Sequence, residues 1–361
     1  MALRAFPRQG MCAHNARGFP PLAPPMSVVM IVRQVRAAEL PGARAVLRDL
    51  EPLCFSDGGN PIADYISQVR AGSAVRRWGE RLVIVQDDVN VLALRDAAGG
   101  IRAHLLPWGE GGRRRFDDTL GNKVAKLDLE AGVVLPDGRF LALGSGSTGR
   151  RQRLVVAWPD GRVALRESGE LYELLRTTHQ FSGAELNVEG AVVIDDRLRL
   201  FQRGNGAPTA ELTAVNATGD FDLADWVRWL DGEGPVPSLL AIVQYDLGTV
   251  AGVPLGFTDA AVLASGAVVF LAGAEASPDA AQDGPVAGCR VGLIDGDDVW
   301  IWDIVDERGE PVRLKLEGIE PLGAEGGVPL RFGVVADMDQ PDLPALIGTL
   351  DLTPSLAARI A

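Results

Sequence analysis

The sequence predicts an all-β protein, a β-propeller of five or six four-stranded blades whose ring is closed by an N-terminal strand. Three observations support this prediction. Short apolar segments recur along the chain between Gly, Asp, Asn and Pro residues. A longer unit repeats five times, at spacings of about 57 to 70 residues. Each unit has room for about four strands, the size of one propeller blade. A pair of two-sheet sandwiches is the alternative fold.

The individual strands are predicted from short apolar runs that are bounded by turn residues. The clearest are Arg81–Gln86, Val91–Arg95, Arg139–Leu143, Arg153–Trp158, Arg197–Gln202, Ala267–Ala272, Arg290–Ile294, Val299–Ile304 and Leu330–Ala336. Tight turns are expected at 136–138 and 159–161, where Pro-Asp-Gly separates two runs. One helix is predicted over Leu223–Leu230, because Asp222 can cap it and Trp226 and Trp229 share a face with Leu230.

Each repeated unit begins with an acidic or small residue, followed by a small residue and an apolar strand. The units start at Ser73, Glu130, Glu189, Asp259 and Glu317. The last unit ends after Leu346–Leu352, one strand short. A strand from Val28–Val35 or from Ala45–Leu50 is expected to complete it and close the ring. Residues 1–26 are expected to form a disordered tail, and residues 27–361 a single propeller domain.

Composition excludes several classes of function. The chain of 361 residues carries a net charge of −13, which argues against binding to duplex nucleic acid or to an anionic membrane. The apolar runs are too short to span a bilayer, and the N-terminus lacks the apolar core of a secretory signal. The three cysteines and three histidines lack the spacing of a zinc site. We expect a cytoplasmic bacterial protein.

A repeated carboxylate marks the candidate site. Four units have an acidic residue at one position of the innermost strand: Glu130, Glu189, Asp259 and Glu317. Equivalent positions on different blades converge in space, so these side chains are expected to form a partial ring at one channel mouth. Side chains alternate along a strand, so Lys126 and Lys315 are expected to face the same way.

Two interpretations of the ring remain open. In the first, the oxygen ligands hold a cation, most naturally Ca²⁺, which needs no histidine. In the second, the carboxylates form ion pairs that fasten neighbouring blades. A further polar set follows the second strand of each unit and is expected to surround the opposite mouth or support its loops: Asp87, Asp88, Ser145, Ser147, Arg203, Asn205, Glu275, Asp337 and Asp339. Among them, Arg203 is a candidate clamp for a phosphate or carboxylate.

Other motifs have simpler interpretations. Residues 144–149 match GxGxxG, but a strand follows, so a hairpin loop is predicted instead of a nucleotide site. His179 has no evident nucleophile as a partner and is interpreted as a loop residue. The arginines at 113–115 and 150–153 are interpreted as solvated loop residues.

Over most of residues 60–352 the sequence resembles the bacterial propellers of the esterase-like phytase, or phytase-like, family. The resemblance rests on short segments at 126–131, 186–190, 257–261 and 316–318. Many members of that family have no known function. The resemblance implies a funnel-shaped central channel in which phosphate esters or calcium bind.

The first functional hypothesis is a hydrolase, of phosphoesterase or esterase type, that acts on a small ester or phosphorylated compound. Its cation would be held by Glu130, Glu189, Asp259 and Glu317. Its catalytic set would be Glu189, Glu317, Lys126, Lys315 and Arg203, with the basic residues holding the anionic group of the ligand. The alternative is a non-catalytic propeller that binds a protein or small ligand on its rims, with the same carboxylates as inter-blade salt bridges. Whether the protein is an enzyme stays open in the sequence.

Overall fold

The structure is a computed structural model that describes residues 31–277, 279, 284–323 and 331–352. The predicted tail at 1–26 lies outside the described residues. The strands pair into two four-stranded sheets, a five-stranded sheet, an eight-stranded sheet and a two-stranded ribbon, so the predicted all-β propeller fold is confirmed. No helix of the described part of the chain is long and apolar enough to cross a membrane.

The elements follow one another along the chain, blade by blade. Two strands come first: β1 Ile31–Arg36 and β2 Ala38–Pro52. The first blade contains β3 Gly72–Trp78, β4 Arg81–Gln86, β5 Val91–Arg95 and β6 Ile101–Leu105. The second contains β7 Leu129–Val134, β8 Phe140–Gly144, β9 Arg153–Ala157 and β10 Val163–Glu167. The third contains β11 Val188–Ile194, β12 Arg197–Gln202, β13 Asn216–Asp222 and β14 Leu239–Asp246.

A two-stranded ribbon, β15 Thr249–Val250 and β16 Val253–Pro254, leads into the fourth blade. That blade contains β17 Gly256–Val262, β18 Val268–Glu275, β19 Val286–Asp295 and β20 Asp298–Val305. The last three strands are β21 Lys315–Pro321, β22 Arg331–Asp337 and β23 Leu346–Leu352. The helices are α1 Gly169–Thr177, α2 His179–Ser182 and α3 Leu223–Leu230, with 3-10 turns at Glu110–Gly112 and Lys123–Ala125.

Helix α3 has the predicted bounds. The Asp222 carboxylate accepts a hydrogen bond of 3.0 Å from the backbone N–H of Asp225, and Trp226 and Trp229 are buried in the core. Helices α1 and α2 were not among the predicted elements. Helix α1 buries Leu171, Tyr172 and Leu175. The helix is short, so the helical spacing of these three residues is a weak signal in a sequence of strands.

The first strand of each blade faces the central axis. These inner strands contact one another in a ring, in the order β3, β7, β11, β17, β21 and back to β3. Within each blade the next strand pairs antiparallel to the inner one. The sequential units of the chain are therefore arranged around one axis, which brings equivalent positions of the repeat together.

The N-terminal strands attach to the outer edges of three blades. Strand β2 pairs antiparallel with β23 and parallel with β20. Strand β1 pairs parallel with β14, as a fifth strand of the third blade. Of the two candidate segments for completing the last unit, the one that contains Ala45–Leu50 pairs with β23, whereas residues 31–35 of the other pair with β14.

Every inner strand has a β-bulge at the same place. The pairing register shifts by one residue between 72/74, 129/131, 188/190, 257/259 and 316/318. The extra residues, which we call the bulge positions, are Ser73, Glu130, Glu189, Thr258 and Glu317. The predicted ring is corrected in the fourth blade, where Thr258 and not Asp259 occupies the equivalent position.

Candidate functional site

The bulge positions lie where the inner strands begin, at one mouth of the channel. Two of them are hydroxyl residues that bond to the neighbouring blade. Ser73 Oγ donates to the Leu129 carbonyl at 2.6 Å, and Thr258 Oγ1 donates to the Leu316 carbonyl at 2.7 Å. An ionised carboxylate has no proton to donate. The three glutamates at the other bulge positions therefore need different partners.

Arg203, at the end of β12, links two of these glutamates. Its Nη1 atom lies 3.3 Å from Glu189 Oε1 and 3.8 Å from Glu317 Oε1, and its Nη2 atom donates to Glu275 Oε2 at 2.5 Å. The Asn187 side chain also donates to Glu189, at 2.7 Å. Burial raises the pKa of Glu189 to about 7, although the charge of Arg203 acts against this shift.

Lys126 joins two aspartates at the entrance to β7. Its Nζ atom forms ion pairs with Asp87 and, at 2.7 Å, with Asp128 Oδ1. Burial alone would lower the pKa of Lys126, but the charges of Asp128 and Asp87 outweigh it and raise the pKa well above its usual value. Arg151 also binds Asp128, at 2.9 Å. The Asp128 backbone has a φ of 57°, a left-handed conformation that Asp tolerates better than most residues.

Glu130 differs from the other two bulge glutamates. Within the described residues, no hydrogen bond or ion pair holds its carboxylate. One oxygen each of Asp87, Asp128 and Glu130 lie within 4.8 Å of one another. Burial, and then the charges of Asp128 and Asp87, raise the pKa of Glu130 well above its usual value. Glu130 therefore has no direct ion pair among the described residues and shares the charge of Lys126 with Asp128 and Asp87.

Lys315 occupies the corresponding place in the last blade. Its Nζ atom lies 3.4 Å from Glu317, 3.0 Å from Asp339 and 3.7 Å from Asp337. Burial raises the pKa of Asp337 to about 6 despite the charge of Lys315. Both lysines predicted to face the ring therefore lie beside it, although Lys126 precedes β7 and is not placed by strand alternation.

We call this connected set of charged groups the mouth cluster. Its acidic members are Asp87, Asp128, Glu130, Glu189, Glu275, Glu317, Asp337 and Asp339. Its basic members are Lys126, Arg151, Arg203 and Lys315. Within the described ranges the cluster holds twice as many carboxylates as bases, and carboxylates at this density ionise fully only with added positive charge.

Asp259 lies deeper, beyond the mouth cluster, and has a different role. It is fully buried, and its two oxygens accept from Arg76 at 2.7 and 2.5 Å. Its position in the predicted cation site is therefore not supported by the geometry, because its charge is already paired. In the other inner strands a small residue follows the bulge position. In the fourth blade Asp259 follows it, and the repeat was therefore aligned on Asp259 instead of Thr258.

Arg76 closes the axis of the channel. Besides Asp259, its guanidinium donates to backbone carbonyls at 2.5, 2.7, 3.2 and 3.4 Å. These carbonyls belong to inner strands of four blades: Val75, Ala260, Ile319 and Ala191. Burial alone would lower the pKa of Arg76, but the charge and hydrogen bonds of Asp259 outweigh burial and raise the pKa. Arg76 therefore ties the inner strands of four blades together at the axis.

The polar residues after the second strands line the same mouth as the ring, which corrects the expectation of an opposite mouth. Asp87 lies beside Lys126, Arg203 beside Glu189, and Asp337 beside Lys315. These residues lie there because, in an antiparallel hairpin, the end of the second strand is next to the start of the first. Asp87 was absent from the predicted cation ligands for lack of this step.

The remaining motifs lie away from the axis or have structural partners. Asp64 binds Arg113 at 2.8 Å and accepts from the backbone N–H groups of Arg114 and Arg115. His179 is exposed in helix α2. The GxGxxG segment at 144–149 leads from β8 into β9, so the predicted hairpin loop is confirmed.

Comparison with known proteins places the chain in a family. A family model matches residues 68–352, and that family is described as one of unknown function, DUF6929. The chain belongs to this family. The comparisons do not show the phytase-like family, so that resemblance stays a prediction for this DUF6929 member.

Individual matches are weaker. Ribose-5-phosphate isomerase A of Rhodopseudomonas palustris (strain HaA2) is 28% identical over 123 residues, which are 31% of this chain and 53% of that protein. The chain thus spans about half the length of this curated relative. A virginiamycin B lyase from Staphylococcus aureus matches 84% of this chain and 99% of its own at 13% identity, with a TM-score of 0.34. The N-terminal domain of Nup159 matches 89% of this chain and all of its own at 8% identity, with a TM-score of 0.31. The fold assignment therefore rests on the strand pairings described above.

Proposed function

We propose that the mouth cluster binds Ca²⁺ through Asp87, Asp128 and Glu130, and that a small ester or phosphorylated compound is hydrolysed beside it. The observation that carries this proposal is the Glu130 carboxylate, which forms no hydrogen bond or direct ion pair within the described residues and lies close to Asp87 and Asp128. A divalent cation would supply the positive charge that the surrounding carboxylates need.

The donor set fits a hard cation. Ca²⁺ takes six to eight oxygen ligands in a flexible geometry, and carboxylates are its usual protein ligands. Lys126 already neutralises part of the charge on Asp87 and Asp128, so Glu130 is the ligand that gains most. When bound, such an ion polarises an ester or phosphoryl oxygen and lowers the pKa of a bound water.

The protein's own side chains support distinct roles around that ion. Glu189, with a pKa of about 7, exchanges a proton near neutral pH, which is what a general acid or base requires. Glu317 is the second candidate for that role. Lys126 and Lys315 are placed to attract an anionic group. The two terminal nitrogens of Arg203 are engaged by glutamates, so its contacts favour positioning of Glu189 and Glu317 over direct binding of an anion.

Calorimetry on chelator-treated protein tests the cation site, with two variants at equivalent bulge positions. Glu130→Gln is expected to weaken Ca²⁺ binding at least tenfold, because it removes the unpaired ligand. Glu189→Gln is the matched control and is expected to change the affinity by less, because Glu189 is already paired with Arg203. Absence of binding to the parent protein, or equal affinity in parent and Glu130→Gln, contradicts the proposal.

A non-catalytic propeller is the second candidate, and the pairing of Arg203 and Arg76 across blades favours it. In that case the carboxylates fasten the blades, and the rims bind a protein or a small ligand. The net charge of −13 supports a small molecule or a protein as partner in either case, and not nucleic acid or an anionic membrane. A Glu189→Gln variant that loses thermal stability, in a parent that binds no Ca²⁺, would favour the scaffold.

A further inference from the structure

A small polar pocket opens beside the mouth cluster, between the first and last blades. Its wall includes Asp87, Asp88 and Lys126 from one side and Asp337 from the other. Six aspartates and three basic residues line it, so the described wall is strongly acidic. We call it the rim pocket. Acidity alone would not make it a binding site, but the state of Asp88 adds a second observation.

Asp88 is only 7% exposed, and half of its carboxylate has no partner. Its Oδ2 atom accepts from Arg70 at 2.5 Å, whereas its Oδ1 atom is buried and lacks any hydrogen bond within the described residues. Asp87 repeats this pattern: Lys126 binds Oδ2, and Oδ1 is buried without a partner. A buried acceptor without a donor costs about 1–3 kcal/mol. Asp87 belongs to the proposed cation site, so Asp88 Oδ1 is the acceptor that remains for a second ligand.

The chemistry of the wall selects the kind of ligand. The unpartnered atoms are acceptors, so the ligand must bring donors, and the excess of aspartates favours a positive charge on them. An inorganic phosphate would meet these aspartates as a like charge. The pocket volume of about 80 Å³ holds roughly two to three water-sized groups at about 30 Å³ each, which is enough for a primary ammonium group and the carbon that bears it.

We propose that the rim pocket binds a small organic cation whose primary ammonium group donates a hydrogen bond to Asp88 Oδ1. Arg70 holds Asp88 from behind, and Asp117 in turn binds Arg70 at 3.0 Å, so the acceptor is fixed before the ligand arrives. This inference rests on the proposed function in one respect: it assigns the ammonium group to the part of the substrate that lies outside the cation site.

The test is calorimetry of 1,4-diaminobutane on the full, chelator-treated chain, with Ca²⁺ titrated separately. Asp88→Asn is expected to weaken diamine binding at least tenfold and to leave Ca²⁺ binding within about twofold of the parent. Glu130→Gln is expected to weaken Ca²⁺ binding at least tenfold and to leave diamine binding within about twofold of the parent. Asp196→Asn, at an exposed turn far from the mouth, is the control and is expected to change neither affinity.

A second measurement needs no variant. The neutral diol of the same length, 1,4-butanediol, is expected to bind the parent at least tenfold more weakly than the diamine. Equal binding of diol and diamine, equal diamine affinity in parent and Asp88→Asn, or phosphate binding that Asp88→Asn abolishes would overturn the inference. If the diamine does not bind while Ca²⁺ binding still depends on Glu130, only the inference about the rim pocket is rejected. If Ca²⁺ does not bind while the diamine does, only the proposed cation site is rejected.

Discussion

At the scale of single residues, the side chain at the bulge position determines which contact is made there. A hydroxyl bonds to the neighbouring blade, whereas a carboxylate stays available for other partners. A serine or threonine hydroxyl satisfies a carbonyl of the neighbouring inner strand, as at Ser73 and Thr258. A glutamate at the same position reaches towards the axis instead. Among the three glutamates, Arg203 engages two, and Glu130 lacks a comparable base. Equivalent positions in the repeat are therefore not equivalent in chemistry.

The raised pKa of Glu189 predicts how stability depends on pH. Between its usual value of 4.5 and about 7, the folded state binds more protons at this site than the unfolded state. The free energy of unfolding of the cation-free protein is therefore expected to fall as pH rises through this window, by up to about 3 kcal/mol from this group. Glu130 and Glu317 shift in the same direction and add to the fall.

Urea denaturation at pH 5, 6, 7 and 8 in the presence of chelator measures this dependence. Glu189→Gln is expected to flatten the slope, because the amide does not titrate. Glu80→Gln, at an exposed turn, should keep the slope of the parent. A parent stability that rises between pH 5 and 7 would show that the folded state does not hold these protons.

The hydroxyl bulge positions give a second prediction. Thr258→Val keeps the side-chain shape but leaves the buried Leu316 carbonyl without its donor, so we expect a loss of about 1–2 kcal/mol in the free energy of unfolding. Ser73→Ala should lose a similar amount through Leu129. Ser265→Ala, at an exposed turn, is the control and should stay within about 0.5 kcal/mol of the parent. Unchanged stability in both bulge variants would show that the two carbonyls find other donors.

The sequence identified Glu130, Glu189 and Glu317 because each begins a repeat unit with a small residue after it. The fourth member could not be placed the same way. Thr258 and Asp259 are adjacent and both polar, and a bulge shifts the register by one residue without a signature in the sequence. The pairing of Glu189 with Arg203 and the isolation of Glu130 depend on contacts between segments far apart in the chain, which no local pattern encodes.

At the scale of elements, buried ion pairs join the inner strands, and the deepest of them is the pair of Arg76 and Asp259. Arg76 on β3 reaches Asp259 on β17 and carbonyls of further inner strands, so one side chain connects four blades at the axis. The bounds of β4, β5, β12 and α3 were predicted to the residue, because alternation, turn residues and caps are local signals. The Arg76 contact was not predicted, since it requires the ring to be closed first.

Removal of this contact is expected to be costly. Arg76→Met leaves the fully buried Asp259 without its partner, so we expect a loss of about 3–5 kcal/mol in the free energy of unfolding. Asp259→Asn in the same chain should restore much of that loss. Urea denaturation of both single variants and the double variant measures the coupling.

The exposed pair Arg331–Asp351, with 2.7 Å between Nε and Oδ1, is the matched control. Arg331→Met is expected to cost less than about 1 kcal/mol, because solvent screens a surface ion pair. Additive effects of the Arg76 and Asp259 substitutions would mean that the two residues do not stabilise the fold as a pair.

At the scale of the whole molecule, residues 31–52 act as a belt over the outer edges of three blades. Strand β2 supplies the outer strand of the last blade and also borders β20, while β1 adds to β14. The sequence predicted that an N-terminal strand completes the last unit, because that unit lacked a strand. It did not indicate that β1 pairs with the third blade. That blade already has four strands, so the repeat does not call for another one.

Truncation separates the two parts of the belt. A chain that starts at Ala38 loses the β14 edge pairing and the Arg33–Asp297 ion pair but keeps β2, so we expect a folded monomer with a modestly lower melting temperature. A chain that starts at Leu53 exposes the edges of β20 and β23, and we expect aggregation or loss of the cooperative thermal transition. Size-exclusion chromatography and thermal melting distinguish these results. A folded, monomeric product from the shorter chain would show that β2 is dispensable.

The contacts of Arg76 also limit how the blades can move. Its guanidinium bonds to the inner strands of four blades, so displacement of any one of these strands breaks bonds at the axis. The four blades are therefore expected to shift together, and local opening is expected at the outer edges and loops instead.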